Sequence, residues 1–164
     1  MKNHISLKKK SQFDENIKKR YRNSACGPVT AYAILDHYLP NKFQNINDLY
    51  RKLGGTPIGL FTWRFVRNLS KLLGDDWLVK KCSIEETIRQ IDAGRPVAAK
   101  FDKWFTGHWR GRYSYDYHWV SVVGYEEKEN VFHMVSSSGH DCFSHHFYYP
   151  HRHFVFLQHD GLGF

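Results

Sequence analysis

Residues 23–30 read Asn23-Ser24-Ala25-Cys26-Gly27-Pro28-Val29-Thr30, and residues 118–125 read His118-Trp119-Val120-Ser121-Val122-Val123-Gly124-Tyr125. The first stretch opens a helix. Pro28 falls in its first turn, where a missing N–H costs nothing. Val29, Ala33, Ile34 and Tyr38 share one helical face. Pro40 follows, so the pattern predicts a helix over about Gly27 to Leu39. Cys26 then stands at a helix N-terminus, where unpaired N–H groups favour a thiolate. The small residues before it leave the sulfur accessible. The second stretch is an apolar strand with His118 at its mouth. A neutral imidazole there can take a thiol proton and later protonate a leaving amine. Each residue alone also has a plain reading, as a small core Cys and as a half-buried His. The chain has eleven histidines, so a lone His signifies little.

Between the two stretches the signals are mostly helical. Asn47 caps a short helix through Leu53, which Gly54-Gly55 ends. A second helix runs from about Leu60 to Leu73 and stops at Gly74. Ser83-Ile84-Glu85-Glu86 has the form of a capping box, and its helix ends at Ala93-Gly94. Trp63, Phe65 and Trp77 are assigned to the helical core. From Pro96 the pattern changes. Pro96 to Phe101, Tyr117 to Tyr125, Val131 to Val135, Phe143 to Tyr149 and Phe154 to Gln158 read as strands. The Glu126 to Asn130 turn joins the second and third of these as an antiparallel hairpin. Helices first and antiparallel strands after is α+β order.

The chain has 164 residues, which fits a single domain over 1–164. Hydrophobic residues make up 41% and aromatics 16%, enough for a buried core and contrary to disorder. No run of 18 apolar residues exists, so no transmembrane helix is expected. The N-terminal residues lack an apolar stretch, against an ordinary secretory signal. Cys26, Cys82 and Cys142 are an odd set without a C-x-x-C pair. That is a poor disulfide framework and a poor zinc site, and it points to a reducing cytoplasm. The formal net charge is +8, much of it within residues 1–22. These read as a solvated basic arm, with attraction to an acidic partner as the functional alternative. No nucleic-acid motif accompanies the charge. His151 and His153 on a strand would share a face, as in some metal sites, but no carboxylate or Cys completes a set. No cofactor or metal is expected. The loop Lys103 to Trp109 is aromatic, and Trp104 within it and Trp119 beside His118 are the candidate substrate-contacting aromatics.

Helix-borne Cys, then a helical region, then strand-borne His is the order of papain-like enzymes. Residues 23–30 resemble the nucleophile motif of the bacteriocin-leader-processing (double-glycine) peptidase family and its broader relatives. Gly94-Arg95-Pro96-Val97 resembles their turn into the central strand, and His118 through Tyr125 their His strand. The resemblance covers roughly residues 8 to 140. It implies a papain-like α+β fold and a Cys-His acyl-enzyme mechanism on a peptide or amide substrate, with Cys26 as nucleophile and His118 as base. It also implies a Gln upstream of the Cys that donates to the oxyanion. In the usual papain pattern that place falls at Arg20. Lys10-Ser11-Gln12-Phe13-Asp14 instead resembles the Ser-Gln-x-Asp segment of more distant relatives, which assigns the role to Gln12. The family places an Asp or Asn after the second hairpin strand to orient the imidazole. Here Ser136 holds that place, with Asp141 and Asp116 as alternatives. A hydroxyl orients more weakly and carries no charge. A non-catalytic papain-like domain that binds a peptide or an acidic partner is therefore the competing reading. Acyl transfer to an amine is a third, because it shares the acyl-enzyme.

Overall fold

The computed structural model describes residues 4–102, 117–137, 143–146 and 152–161. A 3₁₀ turn at Lys19–Ser24 leads into α1, Cys26–Tyr38, followed by α2, Ile46–Leu53, and α3, Thr62–Leu73. Strand β1 spans Trp77–Cys82, and α4 spans Ile84–Asp92. The remaining strands are β2, Val97–Asp102; β3, Tyr117–Glu126; β4, Val131–Ser136; β5, Phe143–His146; and β6, Arg152–His159. They form one sheet in the order β1-β6-β2-β3-β4-β5, with every pairing antiparallel. The α+β order is thus observed. No described helix is long and apolar enough to cross a membrane.

Strand alternation sends successive side chains to opposite faces of the sheet. One face carries Trp77, Val79, Ala98, Trp119, Val155 and Leu157, which pack with Val29, Ile34 and Leu35 of α1 and with α2 and α3. The other carries Val97, Ala99, Val120, Val122, Phe132, Met134, Phe154 and Phe156, which pack with Ile91 of α4 and with Ile5. Helix α1 is buried along nearly its whole first three turns, as a helix between a sheet and other helices must be.

Several local expectations need correction. The cap of α2 is Asn45, whose side chain accepts from the Asp48 N–H at 3.1 Å. Asn47 lies inside the helix, and its amide instead holds the N-terminal segment: Oδ1 accepts from Lys18 N at 2.8 Å and Nδ2 donates to Asn16 O at 2.7 Å. Trp77 is in a strand, although it packs on the helical side against Tyr38. Trp63 is 57% exposed, with Arg64 over its ring, and is not core. Ser83 does cap α4, accepting from Glu86 N at 3.2 Å.

The N-terminal segment is not a solvated arm. Ile5, Gln12 and Ile17 are buried. The β3–β4 register shifts between Val122 and Gly124, so Val123 is the extra residue of a bulge. Its carbonyl accepts from Ile5 N at 2.8 Å, and further along Gln12 N donates to Ser137 O at 2.8 Å. Lys8, Lys9, Lys18, Lys19 and Arg20 are exposed, while Arg22 donates inward to the Ile17 and Glu15 carbonyls.

Gly27 marks the closest approach of α1 to its surroundings. A Cβ there would lie 2.8 Å from Leu60 Cβ and 3.1 Å from Trp119 Cδ1. Leu60 Cβ cannot swing away, so Gly27→Ala must push the helix off the sheet. We expect a loss of about 1–3 kcal/mol, read as a lower denaturation midpoint with an unchanged slope.

Candidate active site

Cys26 is the first residue of α1 and His118 the second of β3. The backbone N–H groups of Trp119, Gly27 and Cys26 itself favour the Cys26 thiolate. Trp119 follows His118 directly in β3, so the N–H that favours the thiolate belongs to the His118 strand. Beneath this junction the Trp119 indole is fully buried, stacked on Phe65 at 4.5 Å between ring centroids, and donates Nε1–H to Leu60 O at 2.8 Å. Trp119 therefore supports the site from below and offers no surface to a substrate. Trp104 lies outside the described residues, as do Asp116, Asp141, Cys142 and His151.

His118 is 8% exposed. Register explains its first partner: β3 and β4 pair Val120 with Ser136, which brings the start of the serine run back beside the imidazole. Ser136 Oγ lies 3.1 Å from His118 Nε2. Ser137 Oγ lies 3.4 Å from the same nitrogen and donates to Gln12 Oε1 at 3.1 Å. Gln12 Nε2 in turn donates to the Arg22 carbonyl at 2.8 Å. Gln12 is thus drawn to the His118 side of the site, with one amide hydrogen committed to Arg22 and one left. Sequence reading named Gln12 and Ser136 but passed over Ser137, whose only signal was its place in the Ser136-Ser137-Ser138 run.

It also passed over Lys100. This residue is 4% exposed on β2, paired with Trp119, and its Nζ lies 5.9 Å from the centre of the Phe61 ring. A lysine in the otherwise apolar run Val97 to Phe101 was a legible anomaly, because ammonium groups are rarely buried without a purpose. Its charge favours the Cys26 thiolate.

The electrostatic balance departs from the simple helix-terminus expectation. Burial pushes the Cys26 thiol up, and it outweighs the three backbone N–H groups and Lys100, which pull it down. Burial also lowers His118 to about 4. At neutral pH the pair rests as thiol and neutral imidazole. Cys82 is pushed up to about 11 by burial, with Thr87 Oγ1 at 3.5 Å. Among the described residues no three His, Cys, Asp or Glu side chains gather as a metal site.

A family model described as Peptidase_C39 like family matches residues 4–146. No curated protein matches the chain. Among solved structures, the chain is similar to one described as a double glycine motif protease from an AMS/PCAT transporter in complex with the leader peptide. The TM-score is 0.58 at 9% identity, over 96% of this chain and 95% of that one. At that identity the likeness concerns the fold, and it agrees with the papain-like α+β architecture.

Because the His118 pKa falls from 6.5 to about 4 on folding, the unfolded chain binds this proton more readily. Its contribution to stability is fully present above about pH 6.5 and is lost as pH falls through 4. Denaturation of the protein and of His118→Gln should therefore diverge across that window. The acid-induced loss attributable to His118 is on the order of 3 kcal/mol. Parallel curves for the two proteins would mean that His118 is not buried neutral.

Proposed function

This chain belongs to the Peptidase_C39 like family, and from that membership, together with the meeting of Cys26 and the His118 strand, we propose that it is a cysteine peptidase acting through an acyl-enzyme. The observation that carries the reading is that the backbone N–H of Trp119, the residue after His118, favours the Cys26 thiolate, while His118 Nε2 is 3.1 Å from Ser136 Oγ. In this mechanism the Cys26 sulfur attacks the peptide carbonyl while its proton passes to His118 Nδ1. The tetrahedral oxyanion is met by the Cys26 N–H and by the remaining Gln12 amide hydrogen. The intermediate collapses as His118 returns the proton to the leaving amine. Water, deprotonated by His118, then cleaves the thioester. Ser136 orients the imidazole in place of a carboxylate. The similar solved protease is in complex with its leader peptide, which supports a peptide substrate here. In this reading Trp104 belongs to the substrate wall.

A second reading, a papain-like domain that binds a peptide without cleaving it, is favoured by one observation. Cys26 is only 3% exposed and its thiol is pushed up, which is the environment of an inert structural cysteine. Iodoacetamide labelling with mass mapping separates the two. For a peptidase, Cys26 reacts faster than Cys82 in the folded protein, and its rate keeps rising with pH past the ordinary thiol value of about 8.5. His118→Gln slows that labelling at neutral pH, and Lys100→Met slows it further. Cys26→Ala abolishes peptide cleavage with the fold retained. Labelling of Cys82 ahead of Cys26, with Cys26 silent, supports the binding domain.

A further inference from the structure

Gln12 is 6% exposed although it stands in a lysine-rich segment. Its amide is fixed end for end. Nε2 faces the Arg22 carbonyl at 2.8 Å, and a carbonyl only accepts, so the atom facing it must be the NH₂ group. The other end, Oε1, then faces Ser137 Oγ at 3.1 Å. An amide oxygen has no proton to give, so the Ser137 hydroxyl proton is spent on it. Ser137 Oγ also lies 3.4 Å from His118 Nε2. With its only proton committed, it can meet that nitrogen only as an acceptor. The contact is attractive when Nε2 carries a proton and repulsive when Nε2 presents a lone pair.

The Ser136 Oγ distance of 3.1 Å to the same nitrogen does not by itself name the tautomer, because a hydroxyl can donate or accept. We infer that Gln12 and Ser137 form a relay from the Arg22 carbonyl to His118 that selects the Nε2–H tautomer and leaves Nδ1 as the basic nitrogen. Both are positioning residues in this role. The inference rests on the reading of His118 as the base for Cys26. It uses the oxygen end of Gln12, whereas the oxyanion role uses the free hydrogen at the nitrogen end. Ser137, which takes no part in the oxyanion site, therefore tests the relay separately.

The experiment is long-range ¹H–¹⁵N correlation NMR on protein labelled with ¹⁵N-histidine at neutral pH, with the His118 signals assigned by their loss in His118→Gln. Wild type should show His118 as the Nε2–H tautomer. Ser137→Ala and Gln12→Met should each let the Nδ1–H form grow, changing the tautomer ratio roughly tenfold, the value of one net hydrogen bond. Ser137→Thr, which keeps the hydroxyl, should restore the wild-type spectrum. If Ser137→Ala does not fold, Gln12→Met reads the same relay from its other end. An Nδ1–H wild type, or a ratio unmoved in the folded variants, overturns the relay. The readout needs no turnover, so a protein that cleaves nothing yet shows these shifts refutes the peptidase reading and leaves the relay standing.

Discussion

The site depends on the burial of one indole. Trp119 has no exposed surface, stacks on Phe65 of α3 and donates to the Leu60 carbonyl just before that helix. Its backbone N–H favours the Cys26 thiolate, and its Cδ1 would lie 3.1 Å from a Cβ at Gly27. A single residue thus joins α1, α3 and the central strand. Burying so large a side chain supplies several times the free energy of one hydrogen bond. The indole N–H must find an acceptor when buried, and Leu60 O supplies it, which fixes the ring's angle as well as its depth. With Trp119 fixed, His118 before it in β3 and Cys26 at the start of α1 are both held by packing.

Both side chains are buried. Burial disfavours any charged form, so thiol and imidazole both remain neutral. An enzyme with an Asp beside its His would offset the cost of the imidazolium, and the described partners of His118 Nε2 are two hydroxyls. The compensating charge lies on the other side of the reaction. Lys100 and the N–H groups at the start of α1 favour the thiolate, so the stabilisation is concentrated on sulfur. Such an arrangement suits proton transfer in step with attack, with no ion pair standing in the resting state.

Much of this was legible in the sequence where a residue type has only one cheap position. Pro28 in a first turn and Gly27 before it announced α1, and the His118 to Tyr125 run announced β3. Ser83 announced the start of α4. What escaped detection was decided by distant partners. Strand β1 alternates buried and exposed only over Trp77 to Lys80, too short a run to be read as a strand, and its pairing partner is β6, beyond α4 and four other strands of the chain. Asn45 and Asn47 are equal as caps by composition, and the choice falls to Asn45 because Asn47 is needed to hold Lys18 and Asn16. The N-terminal segment has too few apolar residues to show a period, and its lysines dominate any reading of it. Its place on the sheet comes from the β3 bulge and from Gln12, features that no local pattern encodes.

Gln12 shows why the site was less legible than the fold. Resemblance supplied a role for its amide nitrogen, because a nearby donor for an oxyanion is what the chemistry demands. The structure commits one of its two amide hydrogens to Arg22, four residues before Cys26, and its oxygen to Ser137. The residue therefore ties the turn that delivers Cys26 to the strand end that delivers His118. A hydroxyl can donate to or accept from an imidazole nitrogen, whereas one whose proton is already committed can only accept. In the proposed relay Gln12 commits the Ser137 proton with neutral groups only, at no desolvation cost for a buried charge. In the proposed mechanism Ser136, Ser137 and the distant Gln12 then serve one physical need, the orientation of a neutral imidazole by buried neutral groups.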